Sequence, residues 1–245
     1  MTQAEGIQVL GRLEHASNNT LLVELDGVRY VYKPIAGERP LWDFPDETLA
    51  NREVAAYRVS QLLGWPLVPP TSLVQGPEGL GSLQLWVNAE IEDVDLFSPG
   101  EVPDNWFSIL GGIDEEGKEI VLAHSAHPML AQLAVFDVII NNADRKAGHI
   151  LTPSNGGLIG IDHGVTFHDE PKLRTVLWGW MNSRINDELI EDLKLLKGAI
   201  PSSDLTELLA PVEVEALLER VNNLIENPIY PEPSGEWPAV PWPVF

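Results

Sequence analysis

The chain has 245 residues, enough for one large domain or two small lobes that each bury a core. Its formal net charge of −22 repels nucleic-acid phosphates and anionic lipid headgroups, so we expect neither nucleic-acid binding nor stable membrane association. The sequence contains no cysteine, which excludes disulfides, thiol catalysis and thiolate metal sites. Residues 1–10 lack the pattern of a signal peptide, and the most apolar long segment, 128–140, is too short to span a bilayer. A cytoplasmic protein is therefore expected.

The first hundred residues are dominated by strand patterns. Two apolar or alternating runs, 21–25 and 28–33, are joined by Asp26-Gly27, a dipeptide typical of a tight hairpin turn. A further strand is predicted over 83–87. A helix is predicted from about 48 to 63, because Gly64 is a favourable residue just after a helix end.

The remainder is predicted to be mainly helical. Residues 92–120 are acidic and rich in glycine and proline, which predicts an irregular connection. A strong helix is predicted over about 126–142 with Ser125 as its cap, and a short buried strand over 158–162. Further helices are predicted at about 186–197, 204–209 and 212–226.

The tail, residues 228–245, contains six prolines and two tryptophans and cannot be helical. Extended, polyproline-like structure packed on the body is the first interpretation, because free Trp237 and Trp242 would leave apolar surface in water. A recognition motif for a protein partner is the alternative.

Three segments carry residues suited to phosphoryl transfer. Lys33 ends an alternating strand, and Glu53 lies in the helix that follows. Asp144 lies in a loop after the apolar helix, and Asp162 lies 18 residues later at the end of a short apolar strand. Phosphoryl transfer uses a lysine for phosphate, a carboxylate to hold that lysine, an acid for the acceptor and an acid for the metal. A short hairpin would bring both aspartates to one cleft.

These segments resemble those of a known family. The Tyr-Lys-Pro strand end, the Asn-x-x-Asp-Arg loop and the Ile-Asp-His-Gly strand end are similar to those of an actinobacterial family related to phosphatidylinositol 3- and 4-kinases. That family belongs to the protein-kinase-like superfamily, near the HipA-type and type II phosphatidylinositol kinases, and the match covers roughly residues 7–230. The resemblance implies an α+β, two-lobed protein-kinase-like fold, with a sheet-rich lobe over 1–88 and a helical lobe over 89–245.

The same resemblance implies ATP and either Mg²⁺ or Mn²⁺ as cofactors. It implies that Lys33 contacts the α- and β-phosphates, that Glu53 pairs with Lys33, that Asp144 is the catalytic loop acid and that Asp162 binds the metal. From the residues alone, Glu38 and Glu47 compete with Glu53 for Lys33. The other implied nucleotide contacts are Ser17, Asn18 and Asn19 over the phosphates, and Gln84, Trp86 and Val87 at the link between lobes. For Trp86 a plain core position is the alternative.

Two departures from the superfamily pattern leave alternatives open. His149 stands where the superfamily usually has an asparagine that binds a second metal, so it is a metal ligand, a packed side chain or a phosphate acceptor. The phosphate loop has no Gly-x-Gly. Arg145 and Lys146 flank the loop acid and either neutralise phosphate, bind an acidic acceptor or are ordinary solvated charges.

The sequence favours an ATP-dependent phosphotransferase acting on a protein or small soluble acceptor. The alternatives are an ATP-binding pseudokinase that signals through a partner, and a phosphoinositide kinase. Basic residues are few and form no run longer than Arg145-Lys146. Because docking to an anionic membrane uses clustered basic residues, a soluble acceptor is expected.

Overall fold

The structure is a computed structural model, and it describes residues 2–3, 6–13, 18–90, 93–154 and 156–245. It is a mixed α/β protein with a sheet-rich N-terminal part and helices later in the chain. None of the helices in these residues combines the length and apolar character required to cross a membrane.

A six-stranded sheet forms the N-terminal part, with the strand order β1-β5-β6-β4-β3-β2. The predicted hairpin is confirmed: Leu25 pairs with Val28, and Asp26 and Gly27 have φ of 52° and 77°. Two residues with positive φ are the requirement of this tight turn, and Asp and Gly tolerate them. The strands are β1 (Thr2–Gln3), β2 (Gln8–Arg12), β3 (Leu21–Leu25), β4 (Val28–Pro34), β5 (Thr71–Gly76) and β6 (Gly79–Leu85).

Helix α1 (Leu49–Leu63) packs against β5 and β6. It ends, as predicted, at Gly64, which has a φ of 68°. Thr48, the residue before the helix, makes no side-chain cap. The carboxylate of Glu38 instead accepts hydrogen bonds from the N–H groups of Leu49 and Ala50, at 3.2 and 2.8 Å, so a distant residue in sequence caps this helix.

The prediction of an irregular connection over 92–120 is wrong. Three strands form an antiparallel sheet of order β8-β10-β9 there: β8 (Val94–Phe97), β9 (Trp106–Ile113) and β10 (Glu119–Ser125). Most residues of β9 are exposed to solvent, so its sequence lacks the alternation of apolar and polar residues that a half-buried strand shows. The pairing partner, rather than the local pattern, makes it a strand.

The later part contains α2 (Pro128–Ile140), α3 (Asp187–Ala199) and α4 (Pro211–Glu226). The predicted Ser125 cap of α2 is wrong. Ser125 ends β10 and its hydroxyl donates to Asp93, at 2.6 Å, whereas His127 Nδ1 accepts the hydrogen bond from Met129 N–H. Pro128 then begins the helix, because its fixed φ suits the first helical position.

A second small sheet leads to the site. Strands β7 (Ala89–Glu90), β11 (Ile150–Pro153) and β12 (Ile159–Gly160) are antiparallel, in the order β12-β11-β7. The predicted strand over 158–162 is thus shorter than expected. The main core lies between α1, α2, α3 and α4, and α2 has fully buried side chains on several faces.

The tail is extended and packed on the body through its backbone. The carbonyl of Val244 accepts from Ala147 N–H at 2.7 Å, and that of Ala239 accepts from Thr175 N–H at 3.0 Å. Trp237 is half-buried, as the packing interpretation requires, but Trp242 is exposed, so that interpretation is wrong for Trp242.

Candidate functional site

Lys33 lies at the centre of an ion-paired cluster. It is the second-last residue of β4, and its ammonium group contacts the carboxylates of Glu53, in α1, and Asp162; the second distance is 2.8 Å. The other oxygen of Glu53 accepts a hydrogen bond from the His163 N–H at 3.0 Å. Glu53 therefore ties together the strand, the helix and the loop that carries Asp162.

The two competing glutamates have other positions. Glu38 caps α1, and Glu47 is exposed with a φ of 63°. Of these three glutamates, Glu53 is therefore the one that pairs with Lys33.

The charges in this cluster hold Lys33 and Asp162 in their ionised forms. Burial would lower the pKa of Lys33, but the carboxylates of Asp162 and Glu53 outweigh it and raise this pKa. Burial would likewise raise the pKa of Asp162, but the Lys33 ammonium outweighs it and lowers this pKa far below its usual range. The Asp162 side chain is still 42% exposed, so part of its carboxylate is open to a ligand.

The imidazole of His149 faces the open oxygen of Asp162. Its Nδ1 lies 3.0 Å from the Asp144 carbonyl, which can only accept, so Nδ1 carries the proton. Burial lowers the pKa of His149 to about 4, so the ring is neutral at neutral pH. The Nε2 lone pair then faces Asp162 Oδ2 at 3.4 Å with no proton between them. Such a pair of donors fits a divalent cation.

Asp144 lies in a loop that starts where α2 ends. Asn141 closes the helix with a φ of 51°, and the side-chain oxygen of Asn142 accepts from the Asp144 N–H at 3.0 Å. The Asp144 carboxylate lies 3.2 Å from the Lys146 ammonium. Burial raises the pKa of Asp144, although Lys146 opposes this. A carboxylate with a raised pKa accepts a proton more readily, which suits a general base.

Arg145 is completely buried, so both the solvated and the ligand-binding interpretations are wrong for it. Its guanidinium pairs with both oxygens of Asp137, in α2, at 2.9 Å. It also donates to the Ile161 carbonyl and to His163 Nε2, at 2.8 Å each. Arg145 therefore fixes the loop of Asp144 against the segment that carries Asp162.

Two cavities meet at Lys33 and Asp162. The first has a volume of about 340 Å³, and its apolar walls include Val31, Leu151 and Ile161. The predicted link residues Gln84, Trp86 and Val87 all line this first cavity, as does His149. The Gln84 amide is turned into the sheet, where it donates to the Thr71 hydroxyl at 2.9 Å. The second cavity has a volume of about 390 Å³ and extends to Asp144.

The predicted phosphate loop is only partly brought to the site. Ser17 lies outside the described residues. Asn18 lines both cavities, and its side-chain oxygen accepts from the Arg39 N–H at 2.9 Å. Asn19 lines neither cavity. Its side-chain oxygen accepts from Arg12 Nε at 2.8 Å, and its side-chain nitrogen donates to the Glu78 carboxylate. The Asn19 side chain is thus turned to Arg12 and Glu78, away from both cavities, and its expected phosphate contact stays a prediction.

In the part of the chain that the structure describes, no group of three or more His, Asp or Glu side chains is placed so that it could hold a metal ion. The candidate donors are the pair Asp162 and His149. Mg²⁺ typically takes one or two protein carboxylates and completes its shell with phosphate and water oxygens. The donor set therefore fits a metal that arrives with a nucleotide.

No protein-family model matches the sequence. "Protein Rv2133c" of Mycobacterium tuberculosis (strain ATCC 25618 / H37Rv) is 46% identical over 257 aligned positions, covering 98% of this chain and 92% of the relative. The chain belongs to the Rv2133c family. Among solved structures, "A Helicobacter pylori proinflammatory kinase CtkA" is similar with a TM-score of 0.48 and 12% identity, over 91% of this chain and 92% of that one.

The sequence analysis of this Rv2133c family member did not predict the buried role of Arg145 or the positions of Arg174 and Trp42. For Arg145 the sequence offers one clue, because Asp137 is a lone charge within an apolar helix and such a charge needs a buried partner. Arg174 and Trp42, which line the second cavity, have no such clue. Their segments are irregular, and only long-range packing places them beside Asp144.

Proposed function

We propose that this protein is an ATP-dependent phosphotransferase that acts on a small soluble acceptor. The observation that supports the proposal is the position of three charged side chains. Lys33 and Asp162 form a wall shared by both cavities, and Asp144 lines only the second. A donor in the first cavity and an acceptor in the second would thus meet between a cation, a metal-binding acid and a base.

In this proposal the adenine enters the first cavity. Leu151 and Ile161 supply apolar walls for the ring. The Trp86 N–H is already bound to the Arg29 carbonyl at 3.0 Å, so the polar contacts to adenine would come from the backbone near Val87 instead. The phosphates then extend toward Lys33.

Asp162 and His149 are the residues that would hold Mg²⁺ or Mn²⁺. When bound, the metal would neutralise charge on the phosphates. Asp162 keeps its open oxygen toward this position because Lys33 occupies the other one.

The transfer itself requires one proton acceptor. An acceptor hydroxyl would attack the γ-phosphorus, the bond from that phosphorus to the β–γ bridging oxygen would break, and ADP would leave with the electron pair. The hydroxyl proton would pass to the Asp144 carboxylate and then to water. Lys146, 3.2 Å from Asp144, would neutralise charge on the transferred group.

An ATP-binding pseudokinase is the second candidate. It is favoured by the ion pair of Lys146 with Asp144, which occupies one oxygen of the base, and by the lack of glycine in residues 14–19. A phosphoinositide acceptor has less support, since the chain has only 15 basic residues and no long basic run for docking to an anionic membrane.

The first test is stabilisation by nucleotide. A ligand that binds only the folded state at a hundredfold excess over its Kd stabilises by about 2.7 kcal/mol, so millimolar ATP with Mg²⁺ or Mn²⁺ should raise Tm clearly. Lys33→Ala and Asp162→Ala should each reduce this ATP-induced rise, and the exposed Lys197→Ala should retain it. An unchanged Tm with both metals would contradict ATP binding altogether.

The second test separates the two candidates. Purified protein with γ-labelled ATP and a small-molecule extract should release ADP and label a compound in that extract. Tight ATP binding without transfer would favour the pseudokinase.

A further inference from the structure

The second cavity lies beside Lys33 and Asp162 and has a volume of about 390 Å³. This size falls within the range of sites for small molecules. Asp144 lines this cavity and does not line the first. A molecule bound here would therefore reach both the proposed phosphate position and the proposed base.

The wall of the second cavity differs in charge from the molecule as a whole. Five of the 15 basic residues line it together with five acidic ones, so its formal charge is balanced, whereas the chain carries −22. An anion that the acidic surface repels elsewhere is not repelled by the net charge of this wall. The basic residues are Lys33, Arg39, Lys146, Lys172 and Arg174, and the acidic ones are Glu38, Asp43, Glu53, Asp144 and Asp162.

Two of these cations are available to a ligand. The three lysines are each paired with a carboxylate. Arg39 and Arg174 have no acidic group within 4.0 Å among the residues described in the structure. An arginine can hold a phosphate or carboxylate through two parallel hydrogen bonds.

Arg174 is held in place by the loop of Asp144. Its Nε donates to the Ala143 carbonyl at 2.6 Å, its backbone N–H donates to the Asn142 carbonyl at 2.9 Å, and its carbonyl accepts from the Arg145 N–H at 3.0 Å. Its side chain is half-buried, and its terminal nitrogens make no hydrogen bond within the described part of the chain. Its guanidinium is therefore positioned before any ligand binds.

Three indoles complete this cavity. Trp42 stacks on Trp237 with ring centroids 5.9 Å apart, and the Lys172 ammonium lies 4.3 Å from the Trp237 centroid. Trp42 and Trp242 are 82% and 83% exposed. Exposed apolar surface at the rim of a charged cavity marks a ligand site, and a flat indole suits the C–H face of a sugar ring.

We propose that the second cavity binds a small carbohydrate carrying a phosphate or carboxylate group, and that a hydroxyl of this sugar is the phosphoryl acceptor. The inference rests on the proposed phosphotransferase function. Arg174 and Arg39 take the anionic group, Trp42 and Trp242 take the ring, and the reacting hydroxyl lies at Asp144. The hydroxyl oxygen bonds to the γ-phosphorus, ADP leaves with the electron pair of the broken bond, and the proton goes to Asp144.

Binding to the full chain without ATP tests the inference directly. Glucose 6-phosphate and glucuronate are the anionic probes and glucose is the neutral match, each titrated by calorimetry and by tryptophan fluorescence. At least one anionic probe should bind tenfold or more tightly than glucose. Arg174→Ala should remove this preference, and Trp42→Ala should weaken binding of the preferred probe about tenfold. The control is Arg184→Ala, an exposed arginine outside the cavity, which should bind the probes as the wild type does.

The outcomes separate this inference from the proposed function. A protein that ATP stabilises, yet that binds glucose and both anionic probes equally or not at all, would overturn the acceptor class and leave ATP binding standing. Label transferred from ATP to the protein fraction of an extract, and not to its small molecules, would also overturn it. If Arg174→Ala does not fold, the exposed Arg39→Ala gives the second measurement, with a weaker anionic preference expected.

Discussion

His149 is the residue whose role the sequence left most open. The structure holds its ring between the Asp144 carbonyl and Asp162, with the side chain 14% exposed. The hydrogen bond from Nδ1 to the Asp144 carbonyl fixes the ring, so Nε2 is oriented as it is in histidines that bind a metal. This geometry favours the ligand hypothesis over packing alone, since a merely packed imidazole does not need its lone pair directed at a carboxylate.

Replacement of His149 by asparagine should change the metal preference. An imidazole nitrogen suits Mn²⁺ better than Mg²⁺, which prefers oxygen ligands. The ATP-induced rise in Tm should be larger with Mn²⁺ than with Mg²⁺ in the wild type, and His149→Asn should shift this preference toward Mg²⁺. Equal rises with the two metals in both proteins would remove the ligand hypothesis. An acid-labile phosphate that is lost in His149→Asn would support the phosphate-acceptor alternative.

At the scale of elements, the pair of Arg145 and Asp137 joins helix α2 to the loop of Asp144 and to the end of β12. Both side chains are completely buried, and the guanidinium also donates to the carbonyls of His149 and Ile161 and to His163 Nε2. Asn142 also donates to Asp137, at 3.0 Å. This buried ion pair therefore helps to fix the relative position of the two site aspartates, together with the contacts of Glu53 and Lys33.

Removal of this guanidinium should cost much stability. Arg145→Met leaves the Asp137 carboxylate buried without its cation, and losses of about 3–5 kcal/mol are usual for such changes. Urea unfolding should show the loss, and the double variant Asp137→Leu with Arg145→Met should recover part of it. The matched control is the neighbouring Lys146→Met, expected within about 1 kcal/mol because its ion pair is partly exposed. A cost below 1 kcal/mol for Arg145→Met would refute this account.

At the scale of the whole molecule, His124 joins the sheet of β8, β9 and β10 to the segment around Gly179. Its Nδ1 donates to the Ser125 carbonyl at 2.8 Å, and its Nε2 accepts from the Gly179 N–H at 3.1 Å. Only glycine fits at 179, because a Cβ there would lie 2.6 Å from that Nε2. The ring is packed between Phe107 and Trp180.

Acid should therefore weaken this junction. Burial lowers the pKa of His124 to about 4, although the Asp93 carboxylate opposes this. An unfolded histidine has a pKa of about 6.5, so the unfolded state binds the proton first as pH falls. Stability should be fully present above pH 6.5 and should fall by about 3 kcal/mol between pH 6.5 and 4 from this residue.

The control for this pH dependence is His124→Asn. It should be less stable at pH 7 and should lose less stability on acidification, measured by urea unfolding from pH 8 to 4. His149 and His163 also have lowered pKa values, so some acid dependence should persist. An identical acid dependence in wild type and His124→Asn would contradict the assignment.

Local rules in the sequence were sufficient for much of the secondary structure and for the order of the charged residues. Asp26-Gly27 specifies its turn because few other residues tolerate two positive φ values. The end of the helix predicted over about 48–63 followed from Gly64, whose positive φ few other residues adopt. The order and spacing of Lys33, Asp144 and Asp162, with the family resemblance, were sufficient to predict one shared cleft.

Interactions between distant segments settled the rest. Lys33 contacts Asp162, which is 129 positions away in the sequence. The pairing of Lys33 with Glu53, and not with Glu38 or Glu47, likewise depends on the tertiary structure. The strands over 94–125 exist through their pairing, and the second cavity is lined by residues from distant segments, including Trp237 and Trp242 of the tail. Local patterns record the conformational preference of a residue and its neighbours. The partners of a buried charge, the pairing of an exposed strand and the walls of a cavity depend on which distant segments exclude water together.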